Sequence, residues 1–144
     1  MGQIRFIEYG SQEYDRTLAL RNKVMRIPLG LDIYKEDFGF ERECVILGMF
    51  EAGELLGVGV MSNKEDCYKV EYLCVDSELQ KSGIGGELLC RLEKIAEARG
   101  GEKIWMDARV SAEGFYQRHG YQAVGEIFLL DYAPVEHVIM EKVL

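Results

Sequence analysis

Alternating and helically spaced apolar residues divide the first half of the chain into short elements. Alternation over Gln3 to Tyr9 predicts an opening strand. Helical spacing over Gln12 to Arg26 predicts a helix, and Ser11 is a suitable N-cap for it. Cys44 to Phe50 and Leu55 to Ser62 flank a short turn that contains glycine, which is the pattern of a β-hairpin.

The second half alternates strands with helices. Cys67 to Val75 predicts a strand, and Ile84 to Arg99 predicts a strongly amphipathic helix. A short helix is predicted from Ser111, as its N-cap, to Arg118. Further strands are predicted over Lys103 to Asp107, Tyr121 to Leu130 and His137 to Val143. A run of antiparallel strands followed by a βαβ passage predicts an α/β fold, with a mixed and mostly antiparallel sheet covered by helices on both faces.

Length and composition restrict the class of protein. A chain of 144 residues suits one domain, so we expect residues 1–144 to form a single unit. Apolar residues make up 48% and charged residues 29%, which is typical of soluble globular proteins. No apolar run approaches the roughly 20 residues that cross a bilayer, and the first residues lack a signal-peptide pattern. The sequence therefore predicts a cytoplasmic protein without a membrane partner.

Charge and cysteine spacing argue against two classes of ligand. The net charge of −8 disfavours nucleic-acid binding, which depends on many basic contacts to phosphates. The four cysteines are scattered and form no Cys-x-x-Cys pair, and only two histidines could join them. We therefore expect reduced thiols and no metal site.

A glycine-rich loop from Gln80 to Gly86 separates a predicted strand from the helix at Ile84. The first N–H groups of a helix have no intrahelical partner, and glycine lets an anion such as pyrophosphate approach them. The loop could equally be a turn that uses glycine only for its dihedral freedom. A Walker A motif does not fit because Lys81 and Ser82 precede the glycines, and the dinucleotide fingerprint fails at Leu88.

Two ordered motifs resemble one family. Gln80 to Gly85 (QKSGIG) is similar to the Gln/Arg-x-x-Gly-x-Gly/Ala motif of the GNAT superfamily of acyl-CoA N-acyltransferases. Phe115 to Tyr121 (FYQRHGY) resembles the family's Phe-Tyr-x-x-x-Gly-Phe/Tyr stretch. The resemblance covers Val70 to Tyr121. The closing segment also looks like a bacterial subgroup, although two residues separate Pro134 from His137 where that subgroup has them adjacent.

The resemblance implies acetyl-CoA as cosubstrate. The pyrophosphate would bind N–H groups of the loop, and the pantetheine arm would lie along the preceding strand as an added β-strand. Lys81 and Arg118 would offset phosphate charge, or be ordinary surface cations. The expected cofactor-binding residues are Leu73, Cys74, Val75, Gln80, Lys81, Ser82, Gly83, Ile84, Gly85, Gly86, Arg109, Phe115, Tyr116 and Arg118.

The resemblance also implies roles for a few side chains. Tyr116 would protonate the departing thiolate, and a backbone N–H near Cys74 would stabilise the oxyanion. Tyr116 could instead be a packing residue. Glu71, placed by alternation beside Leu73 and Val75, is the candidate base; it could also bind a cationic acceptor without proton transfer. A Cys74 acyl intermediate lacks a paired histidine, so direct attack by the amine is favoured.

The acceptor amine is expected to bind near the segment from Arg21 to Glu43, whose part from Gly30 to Phe40 is predicted to be irregular with a short helix. Its polar candidates are Arg26, Tyr34, Glu41 and, from the last strand, His137. The predicted function is acetyl transfer from acetyl-CoA to a small-molecule or peptide amine.

Two alternative functions and the oligomeric state stay open at the level of sequence. A non-catalytic acyl-CoA-binding sensor would keep the loop without turnover. A dinucleotide-dependent enzyme is disfavoured by Leu88. The edge strands and the apolar tail from Val138 to Leu144 would allow a homodimer.

Overall fold

The computed structural model describes residues 2–80 and 82–144 and contains one seven-stranded sheet. The strands are β1 Gln3–Phe6, β2 Val45–Glu51, β3 Glu54–Lys64, β4 Cys67–Val75, β5 Lys103–Arg109, β6 Gln122–Leu130 and β7 Ala133–Val143. Their order is β1-β2-β3-β4-β5-β7-β6, and only the β4–β5 pair is parallel. The predicted mixed and mostly antiparallel sheet is therefore confirmed.

Helices cover both faces of the sheet. They are α1 Gln12–Met25, α2 Ile84–Ala98 and α3 Glu113–Arg118. α1 buries Tyr14 and Leu20 in a core on one face, whereas α2 and α3 contribute Leu92 and Tyr116 to a second core on the other face. No helix among the described residues has the length and apolar character needed to cross a bilayer.

Local capping agrees with the sequence at the first helix and not at the third. The Ser11 hydroxyl accepts the Tyr14 backbone N–H at 3.1 Å, so the predicted cap is confirmed. The predicted Ser111 cap is wrong, because Val110–Ala112 form a 3-10 turn and α3 begins only at Glu113 without a side-chain cap. The irregular segment with a short helix expected over Gly30 to Phe40 is confirmed: Ile33–Lys35 form a short 3-10 helix, and a second one, Gly39–Glu43, begins at its end.

Strand β4 contains a bulge at Glu71. Tyr72 is opposite Val60 of β3 and Val70 is opposite Met61, which leaves Glu71 without a partner in β3. As a result Val70 packs into the α2-side core whereas Tyr72 packs into the α1-side core. An extra residue of this kind reverses the alternation of a strand, and bulges are common beside functional sites.

The parallel strands β4 and β5 separate along their length. They pair only over Cys67 to Lys69 and Lys103 to Trp105. Beyond Lys69 no β5 residue pairs with β4, so the sheet opens toward the C-terminal ends of both strands. This opening lies beside the glycine-rich loop that follows β4, where ligands of α/β sheets commonly bind.

A buried ion pair fixes α1 to the segment before β2. The Arg21 guanidinium donates to both carboxylate oxygens of Glu41, at 2.8 and 2.9 Å, and both side chains have no exposed surface. The Tyr14 hydroxyl donates to the same carboxylate at 2.7 Å. Both oxygens of Glu41 are thus occupied internally, and the expected acceptor-binding role for Glu41 is wrong.

Candidate active site

A groove of about 390 Å³ runs between the end of β4, the glycine-rich loop and α3. Ten of the residues expected at the cofactor line it: Leu73, Val75, Gln80, Ser82, Gly83, Gly85, Gly86, Phe115, Tyr116 and Arg118. The groove is not lined by Cys74, Ile84 or Arg109, although they were expected at the cofactor. Lys81 lies outside the described residues. The two motifs of the sequence therefore meet at one cavity.

The first turn of α2 leaves its N–H groups without a side-chain acceptor. Gly83 precedes the helix with φ 90°, a left-handed conformation that glycine adopts without strain, and no side chain of the described residues caps α2. These free N–H groups lie at the positive end of the helix dipole and beside the groove. The arrangement suits a phosphate group, and Arg118 at the same groove supplies a cation.

Gly86 is required for the packing of α2 on α3. A Cβ atom at this position would lie 2.8 Å from Nε2 of His119, and the His119 ring is held by a 2.9 Å hydrogen bond from Nδ1 to the Phe115 carbonyl. We expect Gly86→Ala to lower the free energy of unfolding by about 1–3 kcal/mol because the histidine must move. Denaturant unfolding tests this, and the double variant Gly86→Ala/His119→Ala should recover part of the loss. An unchanged Gly86→Ala midpoint would contradict the packing argument.

A second, smaller cavity of about 120 Å³ lies between the separated strands β4 and β5. Leu73, Ala112 and Tyr116 line both this inner cavity and the groove, so the two are adjacent. The charged and titratable residues of the inner cavity are Arg26, Glu71, Tyr72, Asp107, Arg109, Tyr116, Tyr132 and His137. A ligand in the groove can therefore present one end to a polar chamber.

Tyr116 lies where the groove meets the inner cavity. Its ring packs edge-on against Phe115 and Tyr121, at centroid distances of 5.1 and 5.8 Å, and the residue is 8% exposed. Burial raises the pKa of the Tyr116 phenol above its ordinary value, so the hydroxyl keeps its proton at neutral pH. No hydrogen bond of this hydroxyl is found among the described residues, and Tyr116 lines both cavities, which leaves the hydroxyl available as a donor.

Glu71 has polar neighbours instead of the apolar ones that alternation predicted. Its carboxylate accepts the Ser62 hydroxyl at 2.6 Å and lies 3.6 Å from Nζ of Lys69. The same ammonium group is 3.2 Å from Asp107. The prediction failed because the bulge at Glu71 breaks the alternation from Leu73. Asp107 was missed, although its place two residues before Arg109 on one strand face was readable from the sequence.

His137 faces the inner cavity as a neutral imidazole. Its Nδ1 lies 2.6 Å from the Val135 carbonyl, which can only accept, so Nδ1 carries the hydrogen and Nε2 is an acceptor. Burial lowers the pKa of His137 from its ordinary value, and the nearby Arg109 and Arg26 charges act in the same direction. The ring stacks on Phe128 at 6.1 Å. Nε2 is thus able to accept a proton or a hydrogen bond.

Cys74 presents its thiol to the α1 side of the sheet, opposite the groove. The sulfur lies in the core with Tyr14 and Leu20, 4.0 Å from the Leu20 carbonyl. Burial raises the pKa of this thiol to about 12. A buried, protonated thiol on the far face is a poor nucleophile. Because the thiol faces the α1 side, Cys74 can contribute only backbone groups to the opening between β4 and β5.

Three further expected residues differ in their placement. Arg26 lines the inner cavity and is 1% exposed; it donates to Glu36 at 2.7 Å and to the Tyr72 hydroxyl at 2.7 Å. Arg109 lines the inner cavity and not the groove that would hold the cofactor. Tyr34 is 59% exposed and lines neither cavity, so the structure does not bring it to the site.

The described residues contain no group of three or more His, Cys, Asp or Glu side chains that could hold a metal ion. The functional groups that line the site include a phenol, carboxylates, an imidazole and guanidinium groups. These groups can bind an anionic cofactor in the groove and a polar reactant in the inner cavity.

Comparison with known proteins connects this geometry to one family. The family described as "Acetyltransferase (GNAT) domain" matches residues 32–144. The uncharacterized N-acetyltransferase YjcF of Bacillus subtilis (strain 168) is 30% identical over 102 residues, which are 71% of this chain and 72% of that protein.

Solved structures share the fold at lower identity. An acyl-CoA N-acyltransferase from Pseudomonas aeruginosa superposes with a TM-score of 0.81, 21% identity and 99% coverage of each chain. PaiA N-acetyltransferase from Thermoplasma acidophilum, solved with coenzyme A, has a TM-score of 0.78 at 17% identity and covers 100% of this chain and 99% of its own. The chain therefore belongs to the GNAT acetyltransferase family, and it is an acyltransferase.

Proposed function

We propose that residues 1–144 act as one N-acetyltransferase domain, which moves an acetyl group from acetyl-CoA to the amine of a small-molecule or peptide acceptor. The observation that carries this proposal is the adjacency of two cavities. The groove begins at the uncapped N-terminus of α2 and shares Leu73, Ala112 and Tyr116 with the inner polar cavity. A CoA thioester in the groove would therefore meet an amine in the inner cavity.

The cofactor would be held mainly by backbone groups. Its pyrophosphate would accept hydrogen bonds from the first N–H groups of α2, with Arg118 as the local cation. Its pantetheine arm would lie in the opening beside Leu73 and Val75, where β4 has no β5 partner. Backbone N–H groups would let the anionic cofactor bind despite the acidic net charge of the chain.

The reaction would proceed by direct attack. The amine nitrogen forms a bond to the thioester carbonyl carbon, and an N–H near Cys74 stabilises the oxyanion until the C–S bond breaks. Tyr116 donates a proton to the departing sulfur, and a base takes a proton from the amine. Tyr116 is then protonated again from solvent. Glu71 is the proposed base, and the neutral Nε2 of His137 is a second candidate.

A cofactor-binding experiment tests the proposal. The melting temperature is measured with acetyl-CoA, CoA, NADH and ATP, each alone at the same concentration. A ligand at 100 times its Kd stabilises the folded state by roughly 2.7 kcal/mol, so selective binding is visible. We expect acetyl-CoA and CoA alone to raise the melting temperature. Stabilisation by NADH or ATP instead would refute the assignment of acetyl-CoA as the cosubstrate. Amine-dependent thiol release then separates an enzyme from a non-catalytic acyl-CoA sensor.

Cys74→Ala is expected to keep most of the wild-type kcat, because the thiol lies in the α1-side core and carries no acyl group. Steady-state thiol release with acetyl-CoA and a reactive amine measures this. The variant should lose some stability from the small cavity that it creates. Near-complete loss of kcat in a folded Cys74→Ala protein would overturn direct attack in favour of an acyl-cysteine intermediate.

A further inference from the structure

Charges of opposite sign lie at opposite ends of the inner cavity. At one end, Glu71 and Asp107 flank the Lys69 ammonium at 3.6 and 3.2 Å. Two carboxylates share one cation here, so this end carries an excess of negative charge. Such an end attracts an ammonium group, or the amine that forms from it.

At the other end, two guanidinium groups converge on one oxygen. Arg26 and Arg109 both donate to the Met25 carbonyl, at 3.2 and 3.0 Å. Arg26 has a carboxylate partner, Glu36, at 2.7 Å. Within residues 2–80 and 82–144, no carboxylate forms an ion pair with Arg109. This end therefore has an excess of positive charge.

Arg109 also has unused hydrogen-bonding capacity. Its Nε is buried and has no partner among the described residues. A guanidinium has five N–H donors, and the Met25 carbonyl accepts only one of those of Arg109. Burial lowers the pKa of Arg109, and the neighbouring Arg26 charge acts in the same direction. A half-buried guanidinium without a carboxylate partner, and with one buried donor unpaired, is stabilised when an anion binds beside it.

The two ends are close enough for one small molecule. Asp107 and Arg109 lie on the same face of β5, two residues apart, which places their Cα atoms roughly 7 Å from each other. The cavity of about 120 Å³ has the volume of roughly four water molecules. A ligand that bridges both ends must carry opposite charges only a few bonds apart.

We propose that the acceptor is a small amino carboxylate, with its amine at Glu71 and Asp107 and its carboxylate on Arg109. The proposal rests on the proposed acetyl transfer and specifies its substrate class. A carboxylate accepts N–H bonds from a guanidinium fork, and Arg109 lines the inner cavity with only one of its donors engaged, on the Met25 carbonyl. Arg109 is then a substrate-binding residue that selects acids over plain amines.

Matched acceptors test the proposal. Glycine, β-alanine and 4-aminobutanoate are compared with methylamine, ethylamine and propylamine, and kcat/KM is referred to the unprotonated amine. We expect wild-type protein to favour the best amino acid over its matched amine by at least tenfold. Arg109→Met and Arg109→Gln should reduce this preference to near one while the Kd for CoA stays unchanged. Arg99→Met, an exposed charge at the end of α2, is the matched control and should keep the preference.

Two results would overturn the proposal. One is equal use of amino acids and matched amines by wild-type protein. The other is an equal loss for all acceptors in the Arg109 variants, which would place Arg109 at the thioester. If CoA binds but no amine is acetylated, the proposed function fails. The ligand preference of the inner cavity is then tested separately, by the binding of the acceptors to the CoA complex. β-Alanine should then raise the melting temperature of the CoA complex more than ethylamine does, and equal shifts would refute the proposal.

Discussion

Tyr116→Phe is expected to lower kcat by roughly 10²-fold or more, which is the size of a general-acid contribution. The variant removes only the hydroxyl, and the ring keeps its packing against Phe115 and Tyr121. The Kd for CoA and the melting temperature should change little, because no described residue hydrogen bonds to that hydroxyl. The raised pKa of Tyr116 keeps the donor protonated but also disfavours tyrosinate, so the effect should not greatly exceed this range.

Tyr121→Phe is the matched control for this prediction. Tyr121 lies beside Tyr116, but its hydroxyl donates to Glu93 at 2.8 Å and lines neither cavity. We expect the Tyr121 variant to lose stability and keep kcat, the reverse of the Tyr116 variant. Steady-state thiol release and thermal unfolding of both proteins measure the two effects. Full kcat in Tyr116→Phe would show that solvent protonates the thiolate and that Tyr116 only packs.

Glu41→Gln is expected to lower the free energy of unfolding by about 3–5 kcal/mol, the usual effect of removing one partner of a buried ion pair. The substitution leaves the fully buried Arg21 guanidinium without its counter-charge. Arg21 Nε already lacks a partner among the described residues, so no spare contact compensates. Urea unfolding monitored by circular dichroism gives the difference.

Glu43→Gln supplies the comparison, since Glu43 is an exposed carboxylate in the same 3-10 turn. Its effect should stay within about 0.5 kcal/mol, as is usual for surface substitutions. A Glu41 variant as stable as the Glu43 variant would contradict the buried pair. Folded Glu41→Gln at low temperature should retain its KM for the acceptor, because Glu41 lines neither cavity.

The sequence predicted those parts of the fold that depend on local pattern. α2 and β4 were located within one residue at each end, because a strong apolar stripe and a run of β-forming residues need no distant information. The glycine loop and the Phe115–Tyr116 stretch were predicted to share a site, and they do line one groove. That prediction came from the resemblance of both segments to GNAT motifs, since nothing in the local pattern of either segment places it beside the other.

The errors arose where distant contacts decide the outcome. Glu41 reads as a surface carboxylate until its pairing with Arg21, twenty residues earlier, is known. Arg109 was expected at the cofactor, but the direction of its side chain depends on the Met25 carbonyl. Glu71 was placed by strict alternation, which cannot register an extra residue within a strand. Each of these features is set by tertiary packing and has no local signature.

The bulge in β4 limits which insertions and deletions this chain can tolerate during evolution. The same strand supplies Val70 to one core and Tyr72 to the other only because Glu71 is an extra residue without a partner in β3. Deleting a single residue between them would restore regular pairing, yet it would turn either Val70 or Tyr72 toward the wrong helix layer. Insertions and deletions in related sequences should therefore fall in the β3–β4 turn and in the segment before β2. The number of residues in β4 should stay constant.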